Sequence, residues 1–398
     1  MTDQKPVSDA PFPLAGLRVL DFSRVLAGPF AGRMLADLGA DVVKVEPPDG
    51  DLTRLWGRRT GGVPGYYNQQ NVGKRNISLD LRAPGAVDLV KQLVAKADIL
   101  IENYRPDVMP RLGVGYEVLK AVNPRLIMLS ISGFGAGGPE SRRPAFAPIG
   151  HAELGFLDRQ ARRGDIPHRD LPISAADTNA SLHGLVAVLA ALHLRAATGL
   201  GQHIDMAMMD ASLVTDDQLH YDLEDANDMV SLPNDVWETG AGPILVSADF
   251  RFLFRRMTEK LGLVDPAGPD ATLADKIAAR RAAVTAVFAG LGDWPAVAEA
   301  MDRMNIAWGE VRKAAELAVQ PTLAHRESIV QVDDRAGGTR PVPQSPYRFS
   351  AARAEVRGPA PHRGEHNAEV LAEWLGVDVA SVAALETAGI LDHDPAPS

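Results

Sequence analysis

The chain has 398 residues, 46% of them apolar, and carries 41 basic against 51 acidic side chains for a net charge of −10. That length allows a substantial core in one large or two ordinary domains, while the negative balance argues against nucleic acid or an anionic membrane as partner, since both reward clustered positive charge. There is no cysteine, which excludes disulfides, thiolate metal sites and a cysteine nucleophile.

Residues 1–12 are polar and proline-bearing, without the apolar centre of a signal peptide. Residues 17–22 (LRVLDF) form a short β-rich run, 28–38 place apolar residues at helical spacing, and 41–46 (DVVKVE) read as a second strand. That βαβ unit predicts a parallel sheet with right-handed crossovers. A helix over 87–96, a strand over 98–102 (DILIE) and a strand over 125–132 (RLIMLSIS) continue the alternation into a GFGAGG run. A long Ala/Leu-rich helix opens at Ala176-Asp177-Thr178. Its most apolar part, 182–194, is interrupted by His183 and His193 and falls short of the roughly 18–20 residues of a spanning helix, so a cytoplasmic protein is expected. In TGLGQHIDMAMMDA (198–211), Gly199 and Gly201 are expected to supply the left-handed geometry that ends this helix. Ile204, Met206 and Met208 then alternate as a half-buried strand would.

Past 211 the texture changes. Residues 221–239 are polar and irregular, whereas 250–262, 273–291 and 294–304 read as amphipathic helices. Strand-like segments at 328–332 and 340–349 and a last helix over 365–375 follow. No internal repeat is visible, which disfavours a solenoid. The expected fold is α/β. A Rossmann-like large domain occupies 1–211 and is completed by 321–398; 212–247 is a linker, and 248–320 is a smaller, helical or α+β, inserted domain.

Read from the residues alone, Asp177 has two meanings. It suits a helix N-cap. Equally, helix-start amides stabilise an anion, and an ionised carboxylate can attack a thioester carbonyl and hold the acyl group as a mixed anhydride. Lys74, Arg75, Arg82, Arg105 and Arg111 offer charges for phosphates, although Lys74-Arg75 fits a solvated turn as well. GFGAGG lacks the Lys-Ser/Thr of a P-loop, and the turn after the first strand lacks GxGxxG, which disfavours a nicotinamide cofactor. No HExxH or tight His/Asp cluster suggests a metal; His183 and His193 are too far apart on their helix to share one.

Several separated motifs carry a family signature: LAGLRVLD (14–21), Ala27-Gly28-Pro29, LGADVVKVE (38–46), NVGKRNISLDL (71–81), ENYRPDVMPRLGVG (102–115), TGLGQHIDMAMMDA, and APHRGEHNAEVL with Glu365 and His366. Together they closely resemble the class III CoA-transferase family, over 14–391 and most weakly over 219–253. The resemblance implies transfer of CoA from an acyl-CoA donor to a carboxylic acid acceptor through an aspartyl mixed anhydride and an aspartyl-CoA thioester, with Asp177 as the acyl-carrying residue. It implies a CoA thioester as substrate, no permanently bound cofactor, no metal, and an interlocked homodimer. By matching positions, Leu26 and Ala27 line the acyl and pantetheine channel. Leu79, Leu81 and Arg82 meet the nucleotide, with Lys74 and Arg75 in the same segment. Asn103, Tyr104 and Arg105 hold the pantetheine side, and Arg111 lies near the phosphates.

The family also includes α-methylacyl-CoA racemases, which pair the aspartate with a histidine roughly thirty residues upstream as the second acid–base group. Here RPAFAPIGHAELGF (143–156) puts Phe146 at the aromatic position of the transferases, which favours transfer, with His151 in a slipped register. A non-catalytic CoA-binding protein is the third alternative. Leu26, Pro144 and Ala147 stand where the oxalate enzyme has polar groups, so neither formyl-CoA nor oxalate is assigned.

Overall fold

The computed structural model describes residues 10–224 and 234–394. Contacts divide the chain into two compact units, one comprising the chain up to Asp217 together with His325 onward, the other Gln218–Ala324.

The first unit is built on a seven-stranded sheet. Its strands are β1 (Arg18–Asp21), β2 (Asp41–Glu46), β3 (Arg75–Leu79), β4 (Ile99–Glu102), β5 (Ile127–Ser132) and β6 (Gln202–Ala207), with β12 (Leu391–Asp392) at the edge. The order is β12-β3-β2-β1-β4-β5-β6. β12 pairs antiparallel with β3, and every other pairing is parallel. Helices cover both faces, so β1, β2, β4 and β5 are buried along nearly their whole length, as parallel strands between two helical layers must be. On one face, α1 (Ala27–Asp37) and the 24-residue α8 (Ala175–Thr198) pack on Ile99, Ile101, Ile127 and Leu129. On the other, α3 (Ala86–Val94), α5 (Tyr116–Val122) and α13 (Asn367–Leu375) bury Leu20, Leu100 and Met128. The remaining helices of this unit are α2 (Gly65–Asn71), α4 (Val108–Arg111), α6 (Ala147–Glu153), α7 (Phe156–Gly164), α9 (Met208–Thr215) and α14 (Val379–Thr387). β10 (Ile329–Asp333) and β11 (Thr339–Pro343) form an antiparallel pair.

The second unit holds an antiparallel sheet of β7 (Asn234–Thr239), β8 (Gly242–Ser247) and β9 (Trp308–Glu310). With α10 (Phe250–Leu261), α11 (Leu273–Ala289) and α12 (Trp294–Met304) it encloses a core around Trp237, Ile244, Met257, Phe288 and Met301.

Four sequence expectations need correction. The stretch read as a linker, 212–247, contains the end of α9 and the hairpin β7–β8; its residues 225–233 lie outside the described residues. α8 runs past both histidines and is long and apolar enough, by length and composition alone, to cross a membrane. In the fold Ala176, Ala180, Leu185 and Val188 are buried against the sheet, whereas Leu182, Val186 and Leu189 are exposed. Of the two glycines that end it, only Gly199 is left-handed, at φ +77°. Gly201 is required for a different reason: a Cβ there would lie 2.0 Å from the Leu126 carbonyl oxygen. Finally, Met208 opens α9 instead of continuing β6, which stops at Ala207.

Candidate active site

In an open α/β sheet, ligands lie beyond the carboxyl ends of the strands where the strand order reverses. Here that point falls between β1 and β4, since β2 and β3 lie to one side of β1 and β4, β5 and β6 to the other. A cavity of about 660 Å³ opens there. It is lined by Arg24 and Ala27 after β1, Asp49 and Leu52 after β2, Asn103–Arg105 after β4, Ser132 at the end of β5, and Met208 after β6. Asp177 and Phe146 close another side of it. A smaller cavity of about 190 Å³ adjoins, lined by Leu79, Leu81 and Arg82 after β3 and sharing Arg24, Asp49 and Tyr104 with the first.

Asp177 is not the N-cap of α8. Ser174 holds that place, and Asp177 is the third helical residue, with its side chain only 7% exposed. The main-chain N–H groups of Ala147 and Ala27, the first residues of α6 and α1, act on its carboxylate and favour its charged form. Three helix starts therefore meet near one carboxylate. Burial outweighs that pull and pushes its pKa up to about 6. The group is ionised at neutral pH yet poorly solvated, which suits a nucleophile.

The turn that delivers Ala27 is unusual. Val25 adopts φ +67°, and its N–H points at the Asp51 carboxylate at 3.2 and 3.3 Å. Asp51 is buried and paired with Lys44 at 3.1 Å. Burial alone would raise its pKa, but Lys44 and the Thr53 N–H hold it below the ordinary range. The GFGAGG run is tied down rather than loose: Gly135 N–H donates to the Ser132 hydroxyl at 3.1 Å and Ala136 N–H to Asp205 at 2.9 Å.

The sequence profile of CoA-transferase family III matches residues 14–367. The chain is a member of that family. It is 32% identical over 399 residues to the succinate–glutarate CoA-transferase of Agrobacterium fabrum, across 94% of this chain and 97% of that one. It is likewise 32% identical over 415 residues to the succinyl-CoA–D-citramalate CoA-transferase of Chloroflexus aurantiacus, across 98% and 100%. Among solved structures, a CaiB/BaiF family protein from Brucella suis superposes with a TM-score of 0.79 at 31% identity, covering 92% of this chain and all of that one. This protein is therefore an enzyme, a CoA-transferase whose substrates are CoA thioesters.

The residues expected to meet CoA in this CoA-transferase divide sharply. Ala27, Asn103, Tyr104 and Arg105 share the larger cavity with Asp177, and Leu79, Leu81 and Arg82 line the smaller one. Leu26 is buried behind Ala27 at the N-cap of α1 and lines neither. Arg111 is exposed on α4, paired with Asp107 at 3.0 Å, and also lines neither. Lys74 is no phosphate ligand. All three ammonium protons are taken inside the fold, by Asp21 at 2.7 Å, the Pro29 carbonyl at 2.8 Å and Asn71 at 2.9 Å. Arg75 stands at the opposite, amino end of β3, held by Asp41, Glu369 and Glu373.

Arg24 is a site residue that the sequence reading did not name. It lines both cavities, with its guanidinium 4.8 Å from the Tyr104 ring. It was legible in principle, because it lies in the turn after the first strand. Tyr66 on α2 lines neither cavity, and its hydroxyl pKa is raised by burial and then by the charges of Asp177 and Asp51. His151, the candidate second base of a racemase, is completely buried and absent from the cavity lining.

Proposed function

We propose that this enzyme transfers CoA through covalent intermediates on Asp177. The observation that carries the reading is one buried carboxyl group in the wall of the switch-point cavity, beside the starts of α1 and α6. One carboxylate oxygen attacks the thioester carbonyl carbon, the C–S bond breaks, and CoA leaves as a thiolate, giving an aspartyl mixed anhydride. The thiolate then attacks the Asp177 carbonyl carbon, releasing the donor acid as its carboxylate and leaving an aspartyl-CoA thioester. An acceptor carboxylate repeats the two steps in reverse order and departs as the new acyl-CoA. No net proton is transferred at any stage, so the chemistry needs no general acid or base. The Ala27 and Ala147 N–H groups, which favour negative charge on the resting side chain, also suit the oxyanion formed at the Asp177 carbonyl when the thiolate attacks. A racemase would need a second acid–base group facing the first; Phe146 occupies the cavity wall where that histidine is expected, which supports transfer.

The test is covalent. Wild-type protein incubated with a panel of acyl-CoAs and quenched with hydroxylamine is expected to carry a hydroxamate at Asp177, seen by peptide mass spectrometry. Formation of this adduct should fall away below pH about 6, where the carboxyl takes up its proton. A protein that turns over acyl-CoA without any modification at Asp177 would refute the reading.

The phosphate end of CoA is assigned to the smaller cavity. Arg82, 76% exposed at its rim, pairs among the described residues with the neighbouring Asp80. Replacing Arg82 with Ala should weaken CoA binding about five- to tenfold, the size expected for losing an exposed charge-assisted phosphate contact. Arg75→Ala should leave CoA affinity unchanged while costing stability. Calorimetric titration of CoA into both variants reads the contrast, and equal effects would displace the nucleotide from this cavity.

A further inference from the structure

The transfer chemistry leaves His151 unused, yet its placement is specific. It lies one helical turn along α6 from Ala147, whose N–H favours the charged form of Asp177. Nδ1 of His151 lies 2.8 Å from Oδ1 of Asp170, and Nε2 lies 3.2 Å from the main-chain nitrogen of Ala176. A main-chain N–H can only donate, so Nε2 is the acceptor and the ring proton sits on Nδ1, directed at Asp170. The imidazole in this arrangement has no nitrogen left for substrate. Ala176 immediately precedes Asp177 in the first turn of α8, where N–H groups have no partner within their own helix. α6 thus opens beside the reactive carboxylate and, a turn later, bonds the main chain next to it.

We propose that His151 is a positioning residue for Asp177: by accepting the Ala176 N–H it fixes the first turn of α8 and so sets where the carboxylate stands relative to the thioester carbon. The inference rests on Asp177 being the acyl acceptor. Ser181 and Thr178 bond carbonyls of the same turn from within α8, whereas His151 takes the N–H beside Asp177 from another helix. Without it the first turn is free to shift, and misplacement of about 1 Å costs on the order of 100-fold in rate.

Two substitutions separate the two hydrogen bonds of the ring. His151→Gln reaches about as far as Nε2 and offers a carbonyl oxygen to Ala176. His151→Asn is shorter, ends near the position of Nδ1, and keeps only the Asp170 partner. The expected result, per folded active site counted by CoA binding, is that the Gln variant retains kcat within about threefold. The Asn variant should lose roughly 10- to 100-fold in kcat, with KM for the acyl-CoA nearly unchanged and hydroxylamine-trapped adduct at Asp177 forming correspondingly more slowly. The reverse order, Asn active and Gln impaired, would assign His151 to anchoring the segment around Asp170 and overturn the proposal. Equal turnover in the two variants, high or low, would overturn it too. So would wild-type exchange of the α-proton of a 2-methylacyl-CoA that both variants abolish, since His151 would then be an acid–base group. Absence of any adduct on wild-type Asp177 is a separate failure, that of the acyl-acceptor reading itself, and is scored before either variant is made.

Discussion

Asp177→Asn is expected to lower transferase turnover by ~10³-fold or more, because it removes the attacking oxygen while keeping nearly the same shape. The fold should not suffer. Burial raises the carboxyl pKa above the ordinary 3.8, so its ionisation works against folding, a penalty that grows from about pH 3.8 and is complete above about 6. Asn removes that opposition at neutral pH and keeps one carbonyl oxygen facing the Ala27 and Ala147 N–H groups. Steady-state turnover and a thermal melt, both at pH 7.5, therefore separate in this variant. A carboxylate that merely braced three helix starts would show the opposite pattern, with activity following whatever stability is lost. Substantial turnover by the Asn protein would return Asp177 to a structural role.

The largest effect on folding is expected from Lys74→Met. Lys74 and Asp21 are fully buried and 2.7 Å apart. Burial alone would raise the Asp21 pKa, but Lys74 and Lys44 hold its carboxyl below the ordinary range. Taking away the ammonium strands a buried carboxylate, which typically costs ~3–5 kcal/mol. The Pro29 carbonyl and Asn71 lose a donor at the same time. The urea midpoint should fall steeply, and CoA affinity of whatever protein stays folded should be close to wild type. A phosphate-binding lysine would give the reverse: an unchanged midpoint and weakened CoA binding.

That lysine shows where the sequence stops being readable. Its partner Asp21 lies at the end of another strand, and the helix-forming residues between them give no sign that the two meet. A Lys-Arg pair in a family motif is therefore equally compatible with a phosphate site, a solvated turn and a buried ion pair. Periodicity performed far better for β1, α1, β2, β4 and β5, since residues such as Val42, Val43 and Val45 are buried on both faces of the sheet and leave an uninterrupted apolar run. It passed over β3, whose RNISL is polar at alternate positions, because Asn76 and Ser78 turn inward to bond Glu46 and Arg363. Asp177 was located through the motifs that follow its helix, but the main-chain N–H groups that favour its charge belong to Ala27 and Ala147, residues without distinctive chemistry. What matters at those positions is the direction of a main-chain N–H, and side-chain identity does not encode it.

The turn at Val25 has a consequence for anyone seeking a more heat-resistant form of this enzyme. A β-branched residue at φ +67° carries strain of roughly 1–3 kcal/mol. Gly would relax it, and a screen scored on melting temperature alone would favour that change. The same turn sets the start of α1, whose Ala27 N–H favours charge on Asp177, so slack introduced there would be felt at the reacting oxygen. Thermal tolerance gained at Val25 would be drawn from catalytic rate, the familiar conflict between a robust scaffold and a tensed active site. The second unit, whose described residues contain no part of this cavity, is the safer place to look for stabilising substitutions.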